Sequence, residues 1–530
     1  MQTRASLAEL QNERAKFRSQ TEAGKVEALR RFDGRVAVVL SGGGARGAYE
    51  AGVLQAFQDA GLPTHIVSAT SVGSINAASY AAHSTTLVGN ADSLVDSWSQ
   101  VTPPAMGIDW SRYVYMLAGL IAAAAGVGNF LWLWLKSKGI YLHSDSPEHV
   151  MFAWLALTFA GLAVLIFFDK LSYVGYVIRN LFRPRRWRAD RRRTAESILA
   201  NILVWGFVWL FLSSTHLHVR SHRELRFSVG TQFLVLGLAL LGVALWLVLR
   251  APVSYWSHKF LRMPLRTGLF ANYERTKFLR SRIPLHHLRH SPMRVVMTAT
   301  DILAGKAKYF TNASLEELER DPQVNRQFVK AEMEQAADLM QVIVASSAFT
   351  IAYEAVPIQG RLLTDGGIVT NQPIRPAVRL GADVLFLVMV SPETSPPPDQ
   401  VKTFLDVGVR AIDILITQNL KADLKLLARI NALCEIHAAR LGLRPEQVEV
   451  HLLEQQYRYI KAITVCPTQP LAGTALDFDS RLTVPAIIEG YRDGSRAALE
   501  FAAYAAGLPA WRKRHIIKLV PESAAASASS

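Results

Sequence analysis

Apolar positions fall in short runs broken by glycine at the front of the chain, in long uninterrupted runs through its middle, and in short runs again beyond. Val36 to Leu40 is the first short run, with the length and composition of a strand buried on both faces. Ser41-Gly42-Gly43-Gly44 breaks it into a loop whose backbone N–H groups are left without strand partners. Val53, Leu54 and Phe57 then recur at helical spacing, Gly61 suits the left-handed residue after a helix, and Pro63 prevents continuation. A second run, His65 to Ala69, ends at Thr70-Ser71-Val72-Gly73, and a small-residue helix is expected from Ser74 to Ala82. The pattern predicts a βαβα unit with two sharp strand-to-helix turns. In an open parallel sheet, loops at the carboxyl ends of neighbouring strands open on one crevice, so the glycine loop and Ser71 are expected to face each other.

The middle of the chain reads differently. Tyr113 to Leu135 and Val150 to Phe168 carry no Asp, Glu, Lys or Arg and match the thickness of a bilayer's hydrocarbon core. Phe227 to Leu249 does the same, and Ile198 to Ser214 is shorter and contains Asn201. Four membrane spans are expected, an even number, which returns the chain to the side on which it started. Between the second and third lie Lys170, Arg179, Arg183, Arg185, Arg186, Arg188, Arg191, Arg192 and Arg193, the type of cluster retained in the cytoplasm. The other two loops are poorer, with Lys136 and Lys138 in one and Arg220, Arg223 and Arg226 in the other. Trp132, Trp134 and Trp246 suit anchoring at span ends.

Beyond the spans, Met293 to Asp301 and Ala382 to Val390 read as buried strands. Ser391 to Pro398 is a proline-rich loop, and Phe404 to Leu441 is a long amphipathic pattern suited to capping a site or lying on a bilayer. Ser523 to Ser530 is a small-residue tail expected to be disordered. Met1 to Phe32 is charged throughout, lacks the apolar core of a signal peptide, and is expected to form a solvated or membrane-surface helix.

Composition adds little to this. The 530 residues are half hydrophobic with a net charge of +15, and they include two cysteines, Cys434 and Cys466. Two cysteines fit neither a disulfide framework nor a metal spacing and are read as inert thiols in a reducing compartment. His216, His218 and His222, like His286, His287 and His290, have no cysteine or carboxylate at ligand spacing and are read as polar interfacial residues, so no metal is expected.

The candidate chemistry centres on Ser71. A serine at a tight strand-to-helix turn has its hydroxyl pushed out of the backbone at a helix N-terminus, the arrangement of a nucleophile elbow. The usual pattern is Gly-x-Ser-x-Gly. Here Ala69, Thr70, Ser71, Val72 and Gly73 place a methyl group at the first position, the smallest departure from glycine. Gly42-Gly43-Gly44-Ala45-Arg46-Gly47 also satisfies Gly-x-Gly-x-x-Gly, but the next strand ends in Ala69-Thr70-Ser71 rather than in the acidic residue that would hold a ribose. A nucleotide site is therefore disfavoured.

The third element is Thr364-Asp365-Gly366-Gly367, followed by Asn371-Gln372-Pro373. The three motifs together resemble the signature of the patatin-like phospholipase family, over roughly Arg35 to Ala82 and Met293 to Val390, fading towards Tyr491. The resemblance implies that Ser71 is the nucleophile and Asp365, in the dyad loop with Gly366 and Gly367, is its base. It also implies an oxyanion hole around Gly42, Gly43, Gly44, Arg46 and Gly47. The chemistry is sound on its own terms. A carboxylate can accept the serine proton if burial raises its proton affinity towards neutrality, so no histidine is required.

The expected fold is α/β, a patatin-like open and mainly parallel sheet with flanking helices, interrupted by a four-helix transmembrane insertion. The expected segments are a charged helical stretch 1–34, the first catalytic part 35–100, the insertion 101–290, the second catalytic part 291–510 and a tail 511–530. The expected protein is a multi-pass acyl hydrolase of a bacterial inner membrane, with its catalytic domain and both termini cytoplasmic. Membrane lipids are its substrate, it uses no cofactor and it binds no nucleic acid. A non-catalytic acyl-chain or partner-binding protein, or a thioesterase or protein deacylase, is the alternative.

Overall fold

The computed structural model describes residues 2–22, 24–108, 111–137, 154–164, 200–209, 268–270, 272–392, 424–425, 427–452, 455–508 and 515–519. The chain divides into two compact units, Met1–Ile108 with Thr267–Ser530, and Asp109–Arg266. Residues 101–108 and 267–290 thus lie in the first unit.

In chain order the elements that matter are α1 (Gln2–Glu22), β1 (Val36–Leu40), α2 (Ala48–Ala60), β2 (Ile66–Thr70), α3 (Val72–Ala82), α4 (Asp92–Gln100) and α5 (Ser111–Ser137). There follow β3 (Gly268–Phe270), α6 (Tyr273–Arg282), β4 (Arg294–Asp301), β5 (Lys306–Thr311), β6 (Met333–Glu334), α7 (Leu339–Ser346), β7 (Ile351–Tyr353), β8 (Val356–Ile358) and β9 (Arg361–Asp365). The last are β10 (Val384–Val388), β11 (Val448–Leu452), β12 (Gln455–Arg458), β13 (Lys461–Val465), α8 (Ser480–Ala506) and β14 (His515–Leu519).

Among the described residues the main sheet has nine strands, with the path β13-β10-β1-β2-β4-β5-β6 and β9 and β8 branching from β4. From β13 to β4 all neighbours are parallel. Strands β1, β2 and β10 are buried along their whole length, as their unbroken apolar runs require in a sheet covered on both faces. Beyond β4 the sheet turns antiparallel through β5 and β9.

Register brings the chemistry together. Leu40 pairs with Ala69, so the glycine loop and the Ser71 turn leave the sheet side by side. Thr70 pairs with Thr298, and the next residue of β4, Ala299, pairs with Asp365. The ends of β2 and β9 therefore meet across one strand.

The charged N-terminal stretch corrects an expectation. Instead of a solvated or membrane-surface helix, α1 docks on the first unit, with Leu10 and Phe17 each 4 % exposed and the Phe17 ring 6.1 Å from that of Tyr491. Its arginines explain the difference, because Arg14 and Arg18 converge on the largely buried Asp59 at 2.9 and 2.7 Å. Charge read along the chain as solvation is here an interhelical ion-pair cluster.

The second unit contains α5 and helical residues 154–164 and 200–209. Small residues bring the first two into close contact: a Cβ on Gly161 would stand 2.3 Å from the Ala123 nitrogen, and one on Gly126 2.3 Å from Thr158 Oγ1. Ala160, Ala163, Ala200, Val204 and Phe207 form its described core. Among the described residues no helix is long and apolar enough to cross a membrane. The expected spans 113–135, 150–168 and 198–214 overlap these helices, and 227–249 lies outside the described residues.

Candidate active site

Strand β2 ends at Thr70, α3 begins at Val72, and Ser71 between them has φ 56° and ψ −130°, a positive φ that a non-glycine residue holds only under constraint. A Cβ on Gly73 would lie 2.8 Å from the Ser41 carbonyl oxygen, so a glycine there lets the helix fold back over β1. Ala69, fully buried in β2, fits as the expected small residue. The Ser71 amide donates to Ser346 Oγ at 3.1 Å, and Ser346 in turn donates to the Thr298 carbonyl at 2.6 Å. Thr70 Oγ1 donates to the Thr370 carbonyl at 3.0 Å, tying the elbow to the loop after β9.

Asp365 closes β9 and is 4 % exposed. Ser71 Oγ donates to its Oδ2 at 2.6 Å, and the Gly367 amide donates to its Oδ1 at 2.8 Å from the turn Gly366–Ile368. Burial pushes the carboxyl up to about 6, against the opposing pull of the Ser71 hydroxyl, the Gly367 amide and the Arg275 charge. Near neutrality it is thus mostly ionised and still basic enough to take a proton.

The glycine loop forms the third wall as a turn over Gly44–Gly47. Gly44 has φ +59°, and a Cβ there would stand 2.1 Å from the Ala475 carbonyl oxygen. Of the five expected oxyanion donors, two are engaged elsewhere. The Gly42 amide donates to Asn371 Oδ1 at 3.0 Å, and the Arg46 amide to the Gly43 carbonyl at 3.3 Å. The amides of Gly43 and Gly44 have no hydrogen-bond acceptor among the described residues. Gly47 contributes its carbonyl, which accepts from Asn76 Nδ2 at 2.9 Å. The same amide group donates to Glu50 at 2.8 Å, and Trp98 Nε1 donates to Asn76 Oδ1 at 2.9 Å. Burial pushes the Glu50 carboxyl up to about 8, opposed by hydrogen bonds from Asn76 and Ser41.

Ser71 opens on a small pocket walled in part by Val72, Ile75, Met106, Phe349, Leu476 and Phe478, with Arg275 and Tyr353 also in its lining. A second, apolar pocket shares Val72, Ile75 and Met106 with it and continues between Leu94, Trp98 and Val101. Among the described residues no group of His, Cys, Asp and Glu could hold a metal ion. The His286 and His290 rings lie 4.7 Å apart, tilted by 55°, with His287 edge-on to His286, and His216, His218 and His222 lie outside the described residues.

The site is a buried serine bonded to a buried carboxylate under a glycine turn. The model of the patatin-like phospholipase family matches residues 38–378. The chain belongs to the patatin-like phospholipase family. It is 51 % identical over 53 residues to lysophospholipase nte1 of Aspergillus terreus, covering 10 % of this chain and 4 % of that protein. It is 52 % identical over 46 residues to patatin-like phospholipase domain-containing protein 6 of Mus musculus, covering 9 % and 3 %. The matched stretch is thus a small part of each relative. Overlay on VipD from Legionella pneumophila covers 88 % of this chain and 67 % of that one at 14 % identity with a TM-score of 0.29, too low to equate the folds.

Four contributors escaped the sequence reading: Ser346 under the elbow, Asn371 on Gly42, the Ala475 carbonyl beside Gly44, and Arg275 in the cavity wall. Asn371 stood inside a quoted motif, so a signal existed. The other three sit in stretches with no distinctive pattern.

Proposed function

We propose that the chain is a membrane-embedded serine acyl hydrolase that cleaves ester bonds of lipids, glycerophospholipids or their lyso forms, through an acyl-enzyme on Ser71 with Asp365 as base. The observation that carries this is the 2.6 Å bond from Ser71 Oγ to Asp365 Oδ2 inside a site where both residues are buried. Ser71 Oγ attacks the ester carbonyl as its proton passes to Asp365. The amides of Gly43 and Gly44 receive the oxyanion, commonly the largest single contribution in acyl transfer. The tetrahedral species collapses, the alcohol leaves with the proton from Asp365, and a water activated by the same carboxylate releases the fatty acid and restores Ser71. The two adjoining apolar cavities support a fatty acyl chain as the group transferred.

Membrane attachment is part of the proposal, through the insertion between the two catalytic stretches. Its described helices expose Leu117, Leu120, Ile121, Trp205 and Trp209 at 50 % or more, an apolar outer face of the kind lipid covers. Their small-residue contacts at Ala123, Gly126, Thr158 and Gly161 are the packing that helices use in bilayers, where no hydrophobic drive separates them from lipid. The even number of spans in the sequence and the arginines from Arg179 to Arg193 support a cytoplasmic catalytic unit.

The test is labelling of the full chain in detergent by a fluorophosphonate probe, with release of fatty acid from phospholipid and lysophospholipid micelles. Labelling and release should both vanish in Ser71→Ala. Equal release by that variant would overturn the mechanism, and a wild-type protein that binds micelles without turnover would make it an acyl-binding protein.

A further inference from the structure

Arg275, in the first helix after the insertion, is 1 % exposed, yet among the described residues its guanidinium is paired with no carboxylate and its Nε has no hydrogen-bond partner. Removing such a charge from water is costly unless something nearby compensates it. Its other donors show what does. Nη1 donates to the Ser347 carbonyl and to Ser347 Oγ at 3.3 Å, and Nη2 to the Val344 carbonyl at 3.0 Å and to Asn272 Oδ1 at 2.6 Å. Val344 and Ser347 are at the end of α7, where the carbonyls lack helical partners and the dipole favours a cation. The guanidinium carbon also lies 4.0 Å from the centroid of the Tyr353 ring.

The segment so anchored is hydrogen-bonded to both members of the dyad. Ser346 receives the Ser71 amide, and the Ala348 carbonyl accepts from the Asp365 amide at 3.1 Å and from Thr364 Oγ1 at 3.0 Å. The stretch from Val344 to Ala348 therefore sets the nucleophile's turn on one side and the base's strand on the other, and Arg275 holds its carbonyls. The arginine is also within electrostatic reach of Asp365 and lines the cavity onto which Ser71 opens. Besides it, Asp365 is faced by the Ser71 hydroxyl and the Gly367 amide, neither of which carries a charge in the resting site.

We propose that Arg275 is a positioning residue for the hydrolytic dyad, fixing the end of α7 that supports Ser71 and Asp365 and holding a positive charge within electrostatic reach of the Asp365 carboxylate. The inference rests on the Ser71–Asp365 reading. It assigns Arg275 two separable effects, one on geometry and one on the ionisation of the base. An uncharged side chain loses both, whereas lysine keeps the charge and loses the forked contacts to two carbonyls.

The experiment compares full-length wild type, Arg275→Met, Arg275→Lys and Ser71→Ala in detergent, measuring kcat and KM for a short-chain p-nitrophenyl ester across pH, together with Tm. Arg275→Met should lose kcat by about tenfold or more with KM little changed, and the acid limb of its profile should move up by roughly one pH unit, because the carboxylate loses its cation. Arg275→Lys should restore the midpoint but not the full kcat. A purely structural arginine predicts instead a lower Tm with the midpoint unmoved in both variants, and that result overturns the inference. Should Arg275→Met fail to fold, Arg275→Lys decides alone: wild-type kcat, or a displaced midpoint, refutes the proposal. Activity persisting in Ser71→Ala would remove the dyad itself, an outcome distinct from an inactive Ser71→Ala beside an unmoved Arg275→Met midpoint.

Discussion

Gly42 donates its amide to the side-chain oxygen of Asn371 at 3.0 Å, a bond between residues 329 positions apart. It joins the glycine loop after β1 to the loop that follows Asp365, so the turn bearing the proposed oxyanion donors is held by the same segment that carries the proposed base. The engaged Gly42 amide also points the open donors of the site to the next two residues, Gly43 and Gly44.

Replacing Asn371 by alanine should therefore loosen the glycine turn. It leaves a partly buried amide without its acceptor, at about 1–3 kcal/mol of stability. Activity should fall by roughly tenfold or more, mostly in kcat, because misplaced oxyanion donors act on the transition state. Steady-state kinetics and thermal melts check this; an unchanged kcat beside a lowered Tm would limit Asn371 to stability.

The pH profile should report the base. Asp365 must be unprotonated to accept the Ser71 proton, and burial raises it to about 6, so the rate should decline as pH falls through that value and level off above it. Asp365→Asn and Ser71→Ala should each remove nearly all activity, and the double variant should be hardly worse, since the two act as one unit. Retention of activity within about tenfold by Asp365→Asn, a loss of only about 1.4 kcal/mol, would exclude the dyad.

Ile75 is common to the two cavities and sits one turn into the elbow helix. A phenylalanine there should obstruct the passage between them. Long-chain esters should lose turnover relative to butyrate esters by about tenfold, with an overpacking cost of about 1–3 kcal/mol visible in Tm. Equal losses for all chain lengths would mean that the second cavity takes no acyl chain.

The proposed membrane orientation rests on the arginines between Arg179 and Arg193. Single cysteines near Ser144 and near Ser221, in a background lacking Cys434 and Cys466, should react with an impermeant maleimide in intact cells, and one near Thr194 should not. Moving that cluster across the bilayer is opposed by hydration and by the membrane potential, at about 2.3 kcal/mol per charge per 100 mV. The reversed labelling pattern would put the catalytic unit outside, and no labelling at either loop would indicate hairpins that do not span.

Read alone, the sequence determined what depends on neighbours along the chain. The buried runs at Val36 to Leu40 and His65 to Ala69 became β1 and β2, the Gly61 cap is left-handed at φ 68°, and Ser71 stands at a strained turn. Strand length, turn chemistry and helix caps are local preferences, and a motif of a few residues carries them. Tertiary structure decided everything that rests on contacts between distant segments. Which loop amides stay open is set by Asn371 on Gly42 and Ala475 on Ala45, the latter at 2.8 Å, and neither partner is encoded in the glycine run. Whether α1 is solvated or docked was settled by Asp59, and the place of Arg275 by the carbonyls that end α7. Charge and hydropathy along a chain specify what a side chain can do, but only the fold supplies the partner that makes it do so.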